Sequence, residues 1–262
     1  MSDQTPYTRM KTLHKGEGLL LLPNAWDVPS AQAFAAARFN LIGTSSWAVA
    51  AMLGYPDGEQ IPFETLLMVA ERIALNTNAM ISVDIEAGYA ADIEGVCANV
   101  TRVMAAGAVG INFEDSLKGD TKGLIDTQMQ VDRIRAIKAL RNASGDPVFL
   151  NARTDGFLVL KDNPRAALTE TLKRAEAYAA AGADCLFVPF LKDEELIGEL
   201  TRVCPLPVNL LALPGVTDLA LLQDLGVKRV SLGNGVFDIA VARHRALATD
   251  IKSMTKLDSL FA

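Results

Sequence analysis

Carboxylates recur at the ends of short apolar runs in this 262-residue chain. VDIEAGY carries Asp84 and Glu86, GINFED carries Glu114, and NARTD carries Arg153. At the end of an extended strand, residues two apart point to one side, so Asp84 and Glu86 are expected to face together. Three carboxylates converging without a cluster of bases repel one another, and a divalent cation relieves that repulsion. All-oxygen ligation by carboxylates and waters is what Mg²⁺ prefers, with Mn²⁺ an acceptable substitute. Arg153 offers a planar fork suited to a substrate carboxylate. Blander roles compete: Asp84 and Glu86 as helix caps, Arg153 as an ion-pair partner of Glu114 or Asp155. Thr44-Ser45-Ser46 supplies hydroxyls and backbone N–H groups that can hold an anion or oxyanion, and equally can cap a helix. Asn234, between Gly233 and Gly235, reads as an anion-binding nest or as a simple turn.

Other chemistries lack their residues. His14 lies in the N-terminal arm and His244 in the last helical stretch, so neither a Ser-His-Asp triad nor a histidine-bound zinc is expected. Cys97, Cys185 and Cys204 are widely spaced with no CxxC, which suits buried thiols in a reducing cytoplasm. Lys192 falls beyond its strand end, a poor place for a Schiff base. The balance of 25 basic and 31 acidic residues, net −6, leaves no basic footprint for nucleic acid. No apolar run approaches the ~18 residues that span a bilayer. The polar start MSDQTPYTRMKTLHKGEG has no apolar region of a signal peptide.

The elements that must position these groups alternate along the chain. Strands are expected at 19–22, 39–44, 80–84, 109–113, 147–152, 185–190, 207–211 and 229–232. They are continuous apolar runs rather than alternating ones, as in parallel strands buried on both faces. Between them lie amphipathic stretches. Residues 61–78 place Leu66, Val69, Ala70 and Ile73 on one stripe, and 126–143 place Val131, Ile134 and Ile137 likewise. Residues 163–182 open with an Asn163-Pro164 cap and close at Gly182. Eight such units in one domain spanning 1–262 predict an α/β fold, a (β/α)₈ TIM-type barrel with an extra C-terminal helix. An open doubly wound sheet is the alternative, but no G-x-G-x-x-G follows the first strand. In a barrel the exits of the strands gather the site at one face. The last helix carries more apolar positions than a cover helix needs, which suggests packing on a partner subunit.

Gly43-Thr44-Ser45-Ser46, LGYPD (53–57), VDIEAGY, GINFED, NARTD and RAEAYAAAGAD (174–184), in that order and spacing, resemble the isocitrate lyase / phosphoenolpyruvate mutase superfamily. The resemblance implies a Mg²⁺- or Mn²⁺-dependent enzyme that makes or breaks C–C or C–P bonds beside an α-oxo acid. By it, Asp84 is the direct metal ligand, and Asp57, Glu86 and Glu114 bind the metal mostly through water. Arg153 takes the substrate carboxylate, and Ser45, with Thr44 and Ser46, holds the enolate oxygen or a carboxylate. Asn234 joins the substrate-binding set. The assembly implied is a homotetramer or homodimer with residues 236–262 exchanged between subunits. The loop 116–124 lacks the Lys-Lys-Cys-Gly-His stretch of the true lyases and the Lys-x-Asn of the phosphonate enzymes. Gly119 and Gly123 suit a lid, and Lys122 is its candidate catalytic residue. What remains is the metal-enolate half of the machinery, which suffices to decarboxylate a substrate such as oxaloacetate. Phosphonopyruvate hydrolysis, phosphoenolpyruvate mutation, methylisocitrate cleavage and dicarboxylate binding without turnover are the alternatives.

Overall fold

The computed structural model describes residues 4–117 and 123–257. Among them, nine parallel strands form one sheet: β1 (Leu20–Leu22), β2 (Asn24–Ala25), β3 (Leu41–Thr44), β4 (Met80–Asp84), β5 (Ala108–Glu114), β6 (Phe149–Arg153), β7 (Cys185–Val188), β8 (Val208–Leu211) and β9 (Arg229–Ser231). β1 pairs with β9 and β2 with β3, so the first strand, interrupted at Pro23, brings the sheet round into a nearly closed barrel. Proline has no N–H to give the ladder. Its carbonyl still accepts from the Gly43 N–H at 2.9 Å, which keeps the two halves in line. Nine segments thus fill the eight expected strand positions of a TIM-type barrel.

Helix α1 (Pro6–Lys15) precedes the barrel. Then come α2 (Val28–Ala36), α3 (Ser46–Met52), α4 (Phe63–Leu75), α5 (Ile93–Ala105), α6 (Thr127–Ala139), α7 (Gly156–Val159), α8 (Pro164–Ala181), α9 (Glu194–Val203), α10 (Leu219–Asp224) and α11 (Gly235–Ser253). The stripe Leu66, Val69, Ala70 and Ile73 of α4 is buried, as are Val131, Ile134 and Ile137 of α6. Each Leu, Val or Ile among them contributes roughly 1.5–3 kcal/mol when fully buried. α8 begins where the Asn163 side chain accepts from the Ala166 N–H and ends at Gly182. Gly182 has φ 101°, a left-handed conformation that glycine adopts without Cβ strain.

Two features depart from the expectation. The N-terminal arm is a helix, started by Thr5 and Pro6. Its Met10 and His14, four apart on one face, are buried, and α1 packs against β5 and β6. A Cβ on Gly110 would meet Met10 Cε at 2.6 Å, so any larger residue there on β5 would push the Met10 side chain of α1 aside. The chain also leaves β4 by a turn. Glu86 has φ 49°, so it does not continue the extended strand beside Asp84. Main-chain bonds cause the turn: the Ile85 N–H goes to the Asn112 carbonyl and the Gly88 N–H to the Ile85 carbonyl.

Candidate active site

The C-terminal ends of the strands enclose a cavity of ≈ 140 Å³. That is room for about five waters at ~30 Å³ each, or one small organic acid. Thr44, Ser45 and Ser46 line it from the end of β3, Asp84 from β4, and Arg153 from β6. Asp57 and Asn234 complete the expected residues on its wall. Glu86 and Glu114 are buried beside the lining but not in it. Lys122 lies outside the described residues, as do Gly119 and the rest of 118–122.

Asp84 is the buried anion of the cavity. Its Oδ2 accepts from the Ser46 hydroxyl at 2.8 Å and the Ser46 N–H at 3.2 Å. Its N–H donates to Thr44 Oγ1 at 2.9 Å. Among the described residues Oδ1 meets only the Glu86 N–H, at 3.4 Å. Burial raises its pKa. Arg153 and the Ser46 bonds oppose that rise, and the Glu86 charge adds to it. A carboxylate whose oxygen is so lightly held at a cavity wall, next to a second buried carboxylate, is a donor set that suits a hard divalent cation. Among the described residues no three Asp, Glu, His or Cys side chains converge to hold an ion directly.

The serine loop is more committed than its sequence suggests. The Ser45 N–H goes to the Ala25 carbonyl at 3.2 Å and the Ser46 N–H to Asp84, so neither faces a ligand. Ser45 caps α3, accepting from the Ala48 N–H at 3.3 Å, which leaves its own O–H to donate. Thr44 is tied to β4 through its hydroxyl and to Asn24 through its carbonyl. Asn234 donates to Asp238 at 2.6 Å, and the neighbouring Gly233 N–H donates to Asn24 Oδ1.

Arg153 pairs with both of the carboxylates named for it. Its Nε and Nη2 bond Asp155 at 2.8 and 2.9 Å, and Nη1 lies 2.9 Å from Glu114 Oε2. Burial works against its charge, but the attraction of Glu114 and Asp155 outweighs it and raises the pKa above the usual arginine value. The guanidinium sits 6.0 Å above the Phe187 ring. Glu86 accepts from the Glu59 N–H at 2.9 Å and from the Tyr89 hydroxyl at 3.1 Å. Glu59 in turn accepts from the N–H groups of Ala87 and Tyr89. Glu86 and Tyr89 in the turn after β4, and Glu59 in the loop between α3 and α4 that bonds to it, all have positive φ, a concentration of backbone strain.

Sequence reasoning placed Asn24 and Pro189-Phe190 at strand exits without giving them a part in the site, and it missed Asn112, Phe187 and Leu211. Asn24 and Phe187 stood at or next to strand exits. Nothing in their types announced that they would share a cavity.

Comparison with known proteins follows the same lines. The family model for phosphoenolpyruvate phosphomutase matches residues 10–252. An uncharacterized protein of Mycobacterium tuberculosis is 40% identical over 238 residues, 90% of this chain and 86% of that protein. The oxaloacetate decarboxylase of Rhodopseudomonas palustris is 32% identical over 171 residues, 61% of this chain and 54% of that one. The crystal structure of a Burkholderia cenocepacia protein, provisionally designated a phosphonomutase, superimposes with a TM-score of 0.88 at 39% identity. That match covers 93% of this chain and 98% of the other.

Proposed function

This chain belongs to the phosphoenolpyruvate phosphomutase family, and from that premise we propose that it is a Mg²⁺- or Mn²⁺-dependent lyase. It breaks a C–C bond beside a 2-oxo acid through a pyruvate-type enolate, as in decarboxylation of oxaloacetate. One observation carries the reading: Arg153 is the single Lys or Arg among the described lining residues, which also hold Asp84 and the serine loop. Phe187, Pro189, Phe190 and Leu211 are the apolar part of the wall, and Phe187 lies under the Arg153 guanidinium. A phosphonate dianion is best met by several cations, and the described lining supplies one. A 2-oxo dicarboxylate needs one cation for the carboxylate that stays, while the carboxylate to be expelled suffers no loss among apolar groups.

Asp84 would hold the ion, with Asp57, Glu86 and Glu114 reached through water. A divalent ion so bound supplies Lewis-acid stabilisation of the negative charge that develops on oxygen. Arg153 binds and orients the carboxylate that stays. The Ser45 O–H donates to the same developing oxyanion. The apolar lining, Pro189, Phe190 and Leu211, would exclude water from the carboxylate that leaves, which favours its departure as neutral CO₂. The electron pair of the broken bond becomes the enolate, and a proton then completes pyruvate; Lys122 is proposed as its donor. In the same reading the protein is a homotetramer or homodimer that exchanges its C-terminal helix.

The test is turnover of oxaloacetate, phosphonopyruvate and methylisocitrate by the purified protein with Mn²⁺ or Mg²⁺, with pyruvate or phosphate measured. We expect metal-dependent pyruvate release from oxaloacetate, above the rate of metal alone. Arg153→Lys keeps the charge but loses the fork, so kcat/KM should fall at least tenfold, from a lost charge-assisted bond of roughly 1.5–3 kcal/mol. Turnover of phosphonopyruvate alone would transfer the proposal to C–P chemistry. Binding of the acids without turnover would leave a dicarboxylate-binding barrel.

A further inference from the structure

Behind Arg153 stands a set of groups, most of them fully buried, that the proposed chemistry does not use. Asp155 is 1% exposed and Asp115 0%. Asp155 takes Arg153 from the side, through Nε and Nη2. Asp155 Oδ2 also accepts from the Ser116 hydroxyl. The Asp155 N–H donates to Asp115 Oδ1 at 3.0 Å. Asp115 Oδ2 accepts from the Tyr178 hydroxyl at 2.7 Å and from Arg174 Nη1 at 3.1 Å. The same Arg174 nitrogen reaches the Ile125 carbonyl at 2.9 Å, and the Ile125 N–H returns to the Asp115 carbonyl at 2.7 Å. Burial raises the pKa of Asp115, and Arg174, with the hydrogen bonds of Tyr178 and Asp155, pulls it back.

The stereochemistry of the guanidinium gives this set a use. Arginine has five N–H bonds in a rigid plane. Asp155 takes one from Nε and one from Nη2, while Glu114 is an ion-pair partner of Nη1 at 2.9 Å. At least one N–H then remains on each terminal nitrogen, and a bidentate partner of a carboxylate needs two such bonds. The direction of that remaining pair is set by how Asp155 sits on the other edge of the plane. Asp155 is itself fixed at its side chain by Ser116 and at its backbone by Asp115.

We propose that Ser116 and Asp155 are positioning residues that aim the Arg153 fork at the substrate carboxylate, with Asp115, Arg174 and Tyr178 as their anchor. The proposal rests on the substrate-binding role of Arg153 given above. Ser116 and Ile125 flank the 117–124 segment, and both are bonded into this set, so the root of that segment and the substrate-facing arginine share one hydrogen-bonded frame.

Two arms test it separately. The first needs no substrate. In protein carrying ¹⁵N-arginine, the Arg153 Nε–H signal, assigned through Arg153→Lys, is followed by hydrogen exchange. Ser116→Ala should speed its exchange at least fivefold and Asp155→Asn more, while Ser116→Thr, which keeps the hydroxyl, should restore protection. Unchanged exchange in Ser116→Ala, or Ser116→Thr behaving like alanine, overturns the proposal. The second arm uses oxalate in the presence of Mn²⁺ by calorimetry, and oxaloacetate kinetics. Ser116→Ala should weaken oxalate and raise KM about fivefold or more, with kcat within twofold and Mn²⁺ affinity unchanged. Equal oxalate affinity in Ser116→Ala and wild type overturns it too. Wild-type protein that neither binds oxalate nor turns over oxaloacetate overturns the functional reading, while the exchange arm still decides the aiming of Arg153.

Discussion

At the scale of single residues, charge placement dominates. Burial raises the Asp84 pKa, and Arg153 and the Ser46 bonds oppose that rise. Asp84→Asn keeps an oxygen for Ser46 but removes the anion, so the metal-free fold should lose no stability while Mn²⁺ affinity drops at least tenfold. Calorimetric titration of both proteins decides this, and equal affinity removes Asp84 as a ligand. Asp84, Glu114 and Arg153 were legible because a charged residue at the end of an apolar run has few other reasons to be there. Glu86 was found but misplaced: its type marked it, while its backbone conformation is set by main-chain bonds to residues far along the chain. Ser45 and Ser46 were found for their hydroxyls, and their N–H groups proved to be spent on Ala25 and Asp84. Asn24 and Phe187 carry no such mark, since asparagine and phenylalanine at strand ends serve turns and cores just as often.

Among the elements, strands and cover helices were readable from period and punctuation. Continuous apolar runs gave the parallel ladder, and Asn163, Pro164 and Gly182 bounded α8. The break at Pro23 and the helix α1 were not readable, because each depends on what lies opposite in the closed barrel. α1 carries the pH prediction. His14 donates from Nδ1 to the Met10 carbonyl, and Nε2 faces Arg229 Nη1 at 3.5 Å. Burial, then the Arg229 charge, pull its pKa down to about 3. Unfolded histidine titrates near ~6.5, so between these values the unfolded chain holds the extra proton. The contribution of His14 to stability is therefore complete above pH ~6.5 and is lost as pH falls below it. From pH 7 to 5 the loss should be about 2 kcal/mol. Urea unfolding of wild type and His14→Gln at both pH values measures it. An equal pH dependence in the two proteins would remove His14 from the account.

For the whole molecule, α11 is the element without a place. None of its residues is buried, and Ile239, Leu247 and Ile251, at helical spacing along one side, are exposed. Its first turn is held, since Phe237 meets the rings of Trp26 at 5.2 Å and Trp47 at 5.8 Å in edge-on contacts beside the cavity. A helix anchored at one end with an open apolar stripe is what an exchanged arm requires. Light scattering should give a dimer or tetramer for the wild type and a smaller species for Leu247→Asp with Ile251→Asp. A wild-type monomer would end the exchange proposal.

The interrupted first strand also bears on how the chain reaches this state. Leu20 pairs with Arg229 and Asn24 with Gly43, so one half of a single strand finds its neighbour at once and the other waits for nearly the whole polypeptide. During synthesis the β2–β3 pair can form early, while β1 keeps an unpaired edge until β9 emerges. An open edge of Leu-Leu-Leu is a template for other chains. The long delay before closure is also the kind of non-local step that slows folding. The seam of the barrel is thus where newly made chains are most exposed to aggregation.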